Sequence, residues 1–397
     1  MRRRFMAAAA AAASAAALLA GCGSGAGGGA GGPYRVLMTA GLSAQGTLAG
    51  NAATSVLAVK AGVAAVNEAG GVAGREVELT VVDDEGNPTT ALTNIRKAIA
   101  SDRPDVVINA GPSPVTAATL PVLGQHEILS FNIAPTADSA DPKKNPLNFD
   151  LTGNPEDYIR GFVPYLREKG YRSAGIVHGG TASGVTFAEQ MEPALEKAGI
   201  TVAGNEEYDP AALDMTPQLQ ALKSRNPDVL IMDGYGAPVG HVLKGVEKLG
   251  WDVPIVGNNS VSATGLVSTP PPGGVLGTAQ TENLVMQVYT STVRDPDDTA
   301  VNGVVAAMAG LGKIESTLIM ATNYDALPLI AAAAADAGRS DDPKALAEAL
   351  EKPEVQRAAK VVIIGGYHFR PDSHGPNLTA EDFDFVAPAP LENGQFT

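Results

Sequence analysis

A short motif occurs twice in the sequence. Residues 103–111 read RPDVVINAG and residues 226–234 read NPDVLIMDG, so each copy has Pro-Asp-Val, an apolar pair and a closing glycine. Asp105 and Asp228 are 123 residues apart, which is the spacing of a domain, whereas solenoid repeats have periods of about 20 to 50 residues. The repeated motif therefore predicts two similar lobes, each with one copy as a buried strand.

Strand patterns alternate with helix patterns around both copies. The strand patterns are YRVLMTA (34–40), REVELTVVD (75–83), PDVVINAG (104–111), SAGIVH (173–178), ITVAGNEEY (200–208) and PDVLIMDG (227–234). Helical spacing of apolar residues falls between them, over 50–67, 89–101, 186–198 and 216–224. This alternation predicts an α/β fold with parallel sheets covered by helices on both faces. Ligands of such sheets bind beyond the carboxyl ends of the strands, so residues 111–116 and 233–236 are expected to share a cleft.

The N-terminus has the pattern of an export signal. Three arginines (2–4) precede an alanine-rich apolar run (5–21), which is shorter than the roughly 20 residues of a membrane span. Leu-Ala-Gly-Cys, ending at Cys22, resembles the lipobox of bacterial lipoproteins. We expect a signal peptide over 1–21, lipid on Cys22 and a flexible Gly/Ala tether over 22–33. A cleaved signal with an incidental cysteine is the alternative, and Sec and Tat export both remain open.

Chain length and net charge indicate the number of domains and disfavour one class of partner. About 360 residues follow the tether, enough for two ordinary domains. The formal net charge of −15 disfavours nucleic acid as a partner.

Catalytic and cofactor motifs are weak. The five histidines lack metal-ligand spacing, and GYGAPVG (234–240) departs from G-x-G-x-x-G, so we expect neither a metal nor a cofactor. A secreted serine hydrolase, with Ser183 or Ser113 as nucleophile and His178 as base, remains the enzymatic alternative. Ser183 lies outside the G-x-S-x-G elbow that such enzymes use.

Several segments together resemble one family. They are AGLSAQG (40–46), AVNEAGGVAGREVELTVVDDEGNP (65–88), AGPSPVTAATLPVL (110–123), ILSFNIAPTAD (128–138), PDVLIMDGYG (227–236) and NYDALPLIAAAAADAG (323–338). They are similar, in order, to the branched-chain amino acid binding proteins of ABC importers. The resemblance implies two doubly wound lobes with a three-segment hinge and a ligand cleft between them. Lobe I is expected to comprise 34–153 plus 284–361, and lobe II 154–283 plus 362–397.

The same resemblance implies a function and its partners. We expect an extracytoplasmic, non-catalytic solute receptor, monomeric and lipid-anchored to the outer face of the cell membrane. It would bind a small carboxylate or amino-acid-like solute in the cleft between the lobes and deliver it to the permease and ATPase of an ABC importer. A ligand sensor of the same fold, docking to a membrane receptor, is the alternative.

Candidate ligand-binding residues follow from the matched segments. Ser113, Ala134 and Thr136 match positions that hold a ligand carboxylate in the family, and Tyr235 matches a cleft aromatic of the second lobe. Capping of helices is the alternative role of the two hydroxyl residues. Ser43 and Ser183 complete the set, together with Asn259.

Three positions depart from the family pattern. Ala49 and Ser183 stand where the family has cleft tyrosines, and Asn259 stands where it has the acid that binds a ligand ammonium. Asparagine offers an ammonium only a neutral acceptor. We therefore expect a roomier pocket that prefers a carboxylate lacking the amine, an amide or another polar solute.

Overall fold

The computed structural model describes residues 31–397, so the predicted signal peptide and Cys22 lie outside the described residues. The first sheet consists of β1 (Tyr34–Ala40), β2 (Val77–Asp83), β3 (Val106–Asn109), β4 (Leu129–Asn132) and β5 (Asn148–Asp150). Its strand order is β2-β1-β3-β4-β5, and every pairing is parallel.

The second sheet repeats this arrangement. It consists of β6 (Ser173–Gly179), β7 (Thr201–Tyr208), β8 (Val229–Met232), β9 (Ile255–Gly257), β10 (Leu284–Tyr289) and β11 (Phe383–Val386). The order is β11-β10-β9-β8-β6-β7, and only the edge strand β11 is antiparallel to its neighbour. The predicted α/β class with two parallel-sheet lobes is confirmed.

The repeated sequence motif has the same structural role in both lobes. Its two copies form β3 and β8, which are third in the matching orders β2-β1-β3 and β7-β6-β8. Asp105 accepts a hydrogen bond from the Arg35 backbone N–H at 2.7 Å. Asp228 likewise accepts from the backbone N–H of Arg172 and of Ser173, each at 2.9 Å. In both lobes, the aspartate of the motif thus fixes the start of the neighbouring strand.

Helices cover both faces of each sheet. They are α1 (Thr47–Glu68), α2 (Pro88–Ser101), α3 (Ser113–Gln125), α4 (Pro155–Glu168), α5 (Ala182–Lys197), α6 (Thr216–Lys223), α7 (Ala237–Lys248), α8 (Asn259–Ser262), α9 (Thr299–Leu311), α10 (Ala326–Ala337), α11 (Pro343–Leu350) and α12 (Pro353–Ala358). Alternate residues of β1 point to opposite faces. Val36 and Met38 therefore join a core with α1 and α10, while Leu37 joins one with α2 and α3.

Helix α5 begins earlier than the apolar spacing predicts. The pattern indicates a start at residue 186, but the helix begins at Ala182. The Thr181 hydroxyl accepts a hydrogen bond from the Gly184 N–H at 3.1 Å, and this cap sets the start. Because residues 182–184 are small or polar, the apolar spacing gives no signal for the start of this turn.

Two expected lobe boundaries are wrong. Residue 284 does not open lobe I, because Leu284–Tyr289 pairs with β9 and so belongs to the second sheet. Residue 362 does not open the last part of lobe II, because Ile364, Phe369 and Leu378 pack in the core of lobe I. The chain therefore crosses between lobes after Tyr289, and again just before β11.

Two helical segments have the length and hydropathy of a membrane span. They are Thr47–Glu68 and Leu318–Ala337, and 56% and 67% of their most apolar windows are buried in the protein. The second joins a 3₁₀ helix (Leu318–Asp325) to α10, and the Asp325 carboxylate at the junction accepts hydrogen bonds from the backbone N–H of Val362, Ile363 and Ile364. The burial identifies both segments as core helices.

Candidate functional site

The carboxyl-end loops of the two lobes meet across a cleft. Tyr235 lies in the loop that follows β8, and Asn51 lies in the second turn of α1, which follows β1. The Asn51 side-chain amide donates a hydrogen bond to the Tyr235 hydroxyl at 2.5 Å, although the residues are 184 positions apart. The contact brings the ligand-binding edge of one lobe against that of the other.

Ser113 stands at the N-terminus of α3, on the cleft edge of lobe I. The helix begins after Pro112 and has no side-chain cap. In its first turn the Val115 and Thr116 N–H groups donate to the Pro112 carbonyl at 2.8 and 3.3 Å, and Pro114 has no N–H. An anion here would therefore meet the Ser113 N–H and the positive end of the helix dipole. The Asn109 side chain fixes the approach to this helix, accepting from the Gly111 N–H at 2.8 Å and donating to the Thr116 hydroxyl at 3.1 Å.

The structure brings Ser113 together with the segment 134–136. The Ser113 hydroxyl donates to the Pro135 carbonyl at 3.0 Å. The Ala134 N–H donates to the Asn132 side chain at 3.1 Å, and the Thr136 N–H donates to the Ser139 hydroxyl at 2.8 Å. These groups are half-buried and already hold one another in place, so a carboxylate arriving here would share or replace internal hydrogen bonds.

Two further helices reach the cleft with uncapped N-termini. Helix α1 begins after Gly46 and α7 begins after Gly236, and neither glycine can supply a capping side chain. By contrast, α5 is capped by Thr181 and α8 by Asn258. Together with α3, these uncapped helices favour an anionic solute between the lobes.

Ser43 and Ser183 are exposed at the rim of the cleft. The Ser43 hydroxyl bonds the Asp83 carboxylate and is the largest cause that lowers the pKa of that group. The Ser183 hydroxyl lies 3.3 Å from the Thr181 hydroxyl at the start of α5. Both hydroxyls therefore have partners within their own lobe.

The geometry gives the hydrolase alternative no support. His178 is 5% exposed, and its Nδ1 lies 3.2 Å from the Gly179 carbonyl oxygen. Within residues 31–397, no hydrogen bond joins this imidazole to the hydroxyl of Ser183 or Ser113. A serine nucleophile needs its base within hydrogen-bond reach.

Asn259 is buried where the lobes join. It is the first residue of α8, is 2% exposed, and its Oδ1 has no hydrogen-bond partner among the described residues. Burial raises the pKa of the Tyr158 hydroxyl, and contacts with Tyr289 and Asn259 oppose that rise. The Tyr289 hydroxyl in turn accepts from the Gly153 N–H at 3.0 Å, in the segment between β5 of lobe I and α4 of lobe II, where the chain crosses for the first time. Asn259 thus presents an unused acceptor beside the hinge.

Sequence reasoning missed the roles of Asp233 and Asn51. Asp233 is 8% exposed and accepts from the Asn258 amide at 2.6 Å, while its backbone carbonyl accepts from the Tyr208 hydroxyl at 2.9 Å. Burial raises the pKa of Asp233, which the contact with Asn258 opposes. The position of Asp233 just after β8 was the sequence signal that could have identified it. No sequence signal pointed to Asn51, because its hydrogen-bond partner Tyr235 is distant in sequence.

Comparison with known proteins identifies the family. Residues 35–380 match the model of the family described as periplasmic binding protein. The chain is 25% identical over 291 residues to the Leu/Ile/Val-binding protein BraC3 of Rhizobium johnstonii, covering 72% of this chain and 75% of that protein. It is 23% identical to a leucine-, isoleucine-, valine-, threonine- and alanine-binding protein of Pseudomonas aeruginosa, covering 72% and 74%.

Solved structures share the fold. A type 1 periplasmic binding protein of Bordetella pertussis superposes with a TM-score of 0.73 at 21% identity, over 89% of this chain and 96% of that one. An ABC-transporter solute-binding protein of Rhodopseudomonas palustris, solved with 3,4-dihydroxybenzoic acid, gives a TM-score of 0.66 at 16% identity, over 86% and 90%. With two parallel-sheet lobes of the type I fold and a match over residues 35–380, the chain belongs to the periplasmic binding protein family.

Proposed function

We propose that the protein is the extracytoplasmic receptor of an ABC importer and binds a small carboxylate in the cleft between its lobes. One observation supports a carboxylate as the ligand. The uncapped N-terminus of α3 places Ser113 beside residues 134–136, on an edge that faces the second lobe. Hydroxyls and N–H groups at a helix N-terminus are the donors that a carboxylate requires.

The other end of the ligand is expected to be neutral. Asn259 has a buried Oδ1 without a partner, and an orphaned buried acceptor costs about 1 to 3 kcal/mol until it finds a donor. A ligand hydroxyl or amide N–H would supply that donor without bringing a charge. An α-ammonium would meet no carboxylate from Asn259 itself. The relatives named for leucine, isoleucine and valine, and the neighbour solved with a dihydroxybenzoic acid, all concern small carboxylates.

The receptor acts by closing rather than by catalysis. Closure of the two lobes around the solute would present the loaded protein, as a monomer, to a permease and its ATPase. Membership of the family implies a location outside the cytoplasm. The hydroxyls and the imidazole that could form a hydrolytic pair are engaged elsewhere, as described above.

A lipid on Cys22 would hold the receptor at the membrane. The Arg75 guanidinium donates to the carbonyls of Gly32 and Pro33 at 2.8 and 2.7 Å, so the tether joins lobe I at a fixed point beside the start of β1. Metabolic labelling with a fatty acid should mark the wild type. Cys22→Ala should lose the label and be released into the medium. Equal labelling of both proteins would rule out the anchor.

A thermal-shift panel tests the ligand class. The panel contains amino acids, 2-hydroxy acids, 2-keto acids, aromatic carboxylates and the matching amides. A ligand at 100 times its dissociation constant stabilises the native protein by about 2.7 kcal/mol, which is a clear shift of the melting temperature. Stabilisation by a carboxylate, absent with its amide, supports the proposal. Stabilisation by none of the carboxylates would contradict it.

A further inference from the structure

Asn51 is held rigidly on lobe I. It is 6% exposed, and the helix that carries it is tied to the segment after α9. The Thr54 hydroxyl accepts from the N–H groups of Glu315 and Ser316 at 3.1 Å each, and the Ser55 hydroxyl donates to the Met320 carbonyl at 2.6 Å. The amide of Asn51 therefore moves only with its whole lobe.

Tyr235 is held on lobe II from both sides. Before it, Asp233 is bonded through its carboxylate and its backbone carbonyl to Asn258 and Tyr208. After it, the Gly236 N–H donates to the Thr264 hydroxyl at 3.0 Å. The phenol itself is 39% exposed, so it projects from a fixed loop.

We propose that Asn51 and Tyr235 form a latch that stabilises the closed receptor and raises its affinity for every solute by the same factor. Each partner is fixed to a different lobe, so the hydrogen bond exists only when the lobes are close. Asn51 is a positioning residue in this scheme. The inference rests on the proposed function, because a latch matters only to a protein that closes.

Among the described residues, two other hydrogen bonds that join the lobes lie beside the crossing segments. The Arg160 guanidinium donates to the Leu378 carbonyl at 2.8 Å, and the Gly153 N–H donates to the Tyr289 hydroxyl at 3.0 Å. The chain itself holds these groups together whether the lobes are open or closed. Asn51 and Tyr235 belong to elements that no crossing segment joins, so their bond reports closure.

A double-mutant cycle tests the latch. Affinity for 2-hydroxy-4-methylpentanoate and for 3,4-dihydroxybenzoate is measured by calorimetry in wild type, Asn51→Ala, Tyr235→Phe and the double variant. Loss of this partly buried hydrogen bond should weaken binding by each single variant roughly two- to tenfold, equally for both acids. The double variant should bind as tightly as the single variant with the lower affinity, because both substitutions remove the same hydrogen bond. Lys60→Ala, exposed on the same helix, is the matched control and should bind like wild type.

Three results would overturn the latch: wild-type affinity in Asn51→Ala, multiplying losses in the double variant, or a loss in Tyr235→Phe that differs between the acids. The last result would make Tyr235 a ligand contact instead. Binding of neither acid by the wild type would count against the proposed ligand class and not against the latch. In that case, small-angle scattering of the ligand-free protein tests the latch. Both single variants should have a larger radius of gyration than wild type, and equal radii would overturn the latch.

Discussion

Gly46 and Gly236 adopt nearly the same backbone conformation on opposite lobes. Gly46 has φ 65° and ψ −136°, and Gly236 has φ 70° and ψ −140°, each at the residue that precedes a cleft-facing helix. Residues with a Cβ rarely adopt this region, which costs them about 1 to 3 kcal/mol. Both lobes thus use a glycine to turn a loop sharply into α1 or α7.

Alanine at either glycine should therefore destabilise the protein by about 1 to 3 kcal/mol in urea unfolding. A Cβ at these positions would meet no atom within 4 Å, so the effect tests backbone conformation alone. Gly303, exposed within α9 and equally open, is the matched control. Gly303→Ala should stabilise by up to about 1 kcal/mol through helix propensity. A neutral effect at Gly46 and Gly236 would show that the turns are not strained.

Ser113→Ala should weaken carboxylate binding by about 1 to 3 kcal/mol, since it removes a donor from a buried anion. Calorimetry with a ligand from the thermal-shift panel measures the change. Ser101→Ala, an exposed serine at the end of α2, should bind like wild type. Unchanged affinity in Ser113→Ala would assign the Ser113 hydroxyl to its hydrogen bond with the Pro135 carbonyl rather than to the ligand.

Asn259→Glu should exchange the ligand preference. A buried carboxylate beside Tyr158 would lack a partner when a neutral-ended acid binds, so affinity for such an acid should fall. The same carboxylate would pair with an α-ammonium, so affinity for leucine should rise. Asn259→Gln keeps the amide and separates the effect of charge from that of size. If Asn259→Glu lowered the affinity for leucine as well as for the neutral-ended acid, the ligand ammonium would bind away from residue 259.

Asp325 should make stability fall as pH rises from about 4 to about 6. Burial raises its pKa from 3.8 to about 6, although three backbone N–H groups and the Tyr367 hydroxyl oppose the rise. The folded state therefore holds this proton more tightly than the unfolded state does. The stabilising contribution is complete below the unfolded pKa and is lost as pH rises through the folded value.

The Asp325→Asn variant isolates this contribution. The unfolding free energy of wild type minus that of the variant should decrease between pH 4 and pH 7, by on the order of 3 kcal/mol. Urea unfolding at several pH values measures both. A constant difference would mean that Asp325 has the same pKa folded and unfolded, and a difference that grows with pH would mean that folding lowers its pKa.

Local sequence patterns predicted most of the fold because buried parallel strands are short apolar runs. The run at 34–40 matches β1 at both ends, and the repeated Pro-Asp-Val motif anticipated the matching topology of β3 and β8. The membership of β10 was not predictable in this way. LVMQVY reads as a buried strand in either sheet, and only long-range pairing with β9 assigns it to the second.

The contacts of the candidate site are likewise predictable within a lobe and not predictable between the lobes. The proximity of Ser113 to residues 134–136 could be anticipated, since both follow neighbouring parallel strands. The partner of Tyr235 could not, because the bond to Asn51 depends on how the two lobes meet. The burial of Asn259 beside Tyr158 likewise comes from packing at the hinge, which residue spacing does not encode.

Calorimetric titration of the wild type with leucine and with 2-hydroxy-4-methylpentanoate tests the central claim most directly. The two molecules share the carboxylate and the side chain and differ only in carrying an ammonium or a hydroxyl at carbon 2. The hydroxy acid can donate to the unpaired Asn259 Oδ1 without bringing a charge, so it should bind more tightly. Tighter binding of leucine, with a submicromolar dissociation constant, would contradict the account and require another residue, such as Asp233, to hold the ammonium.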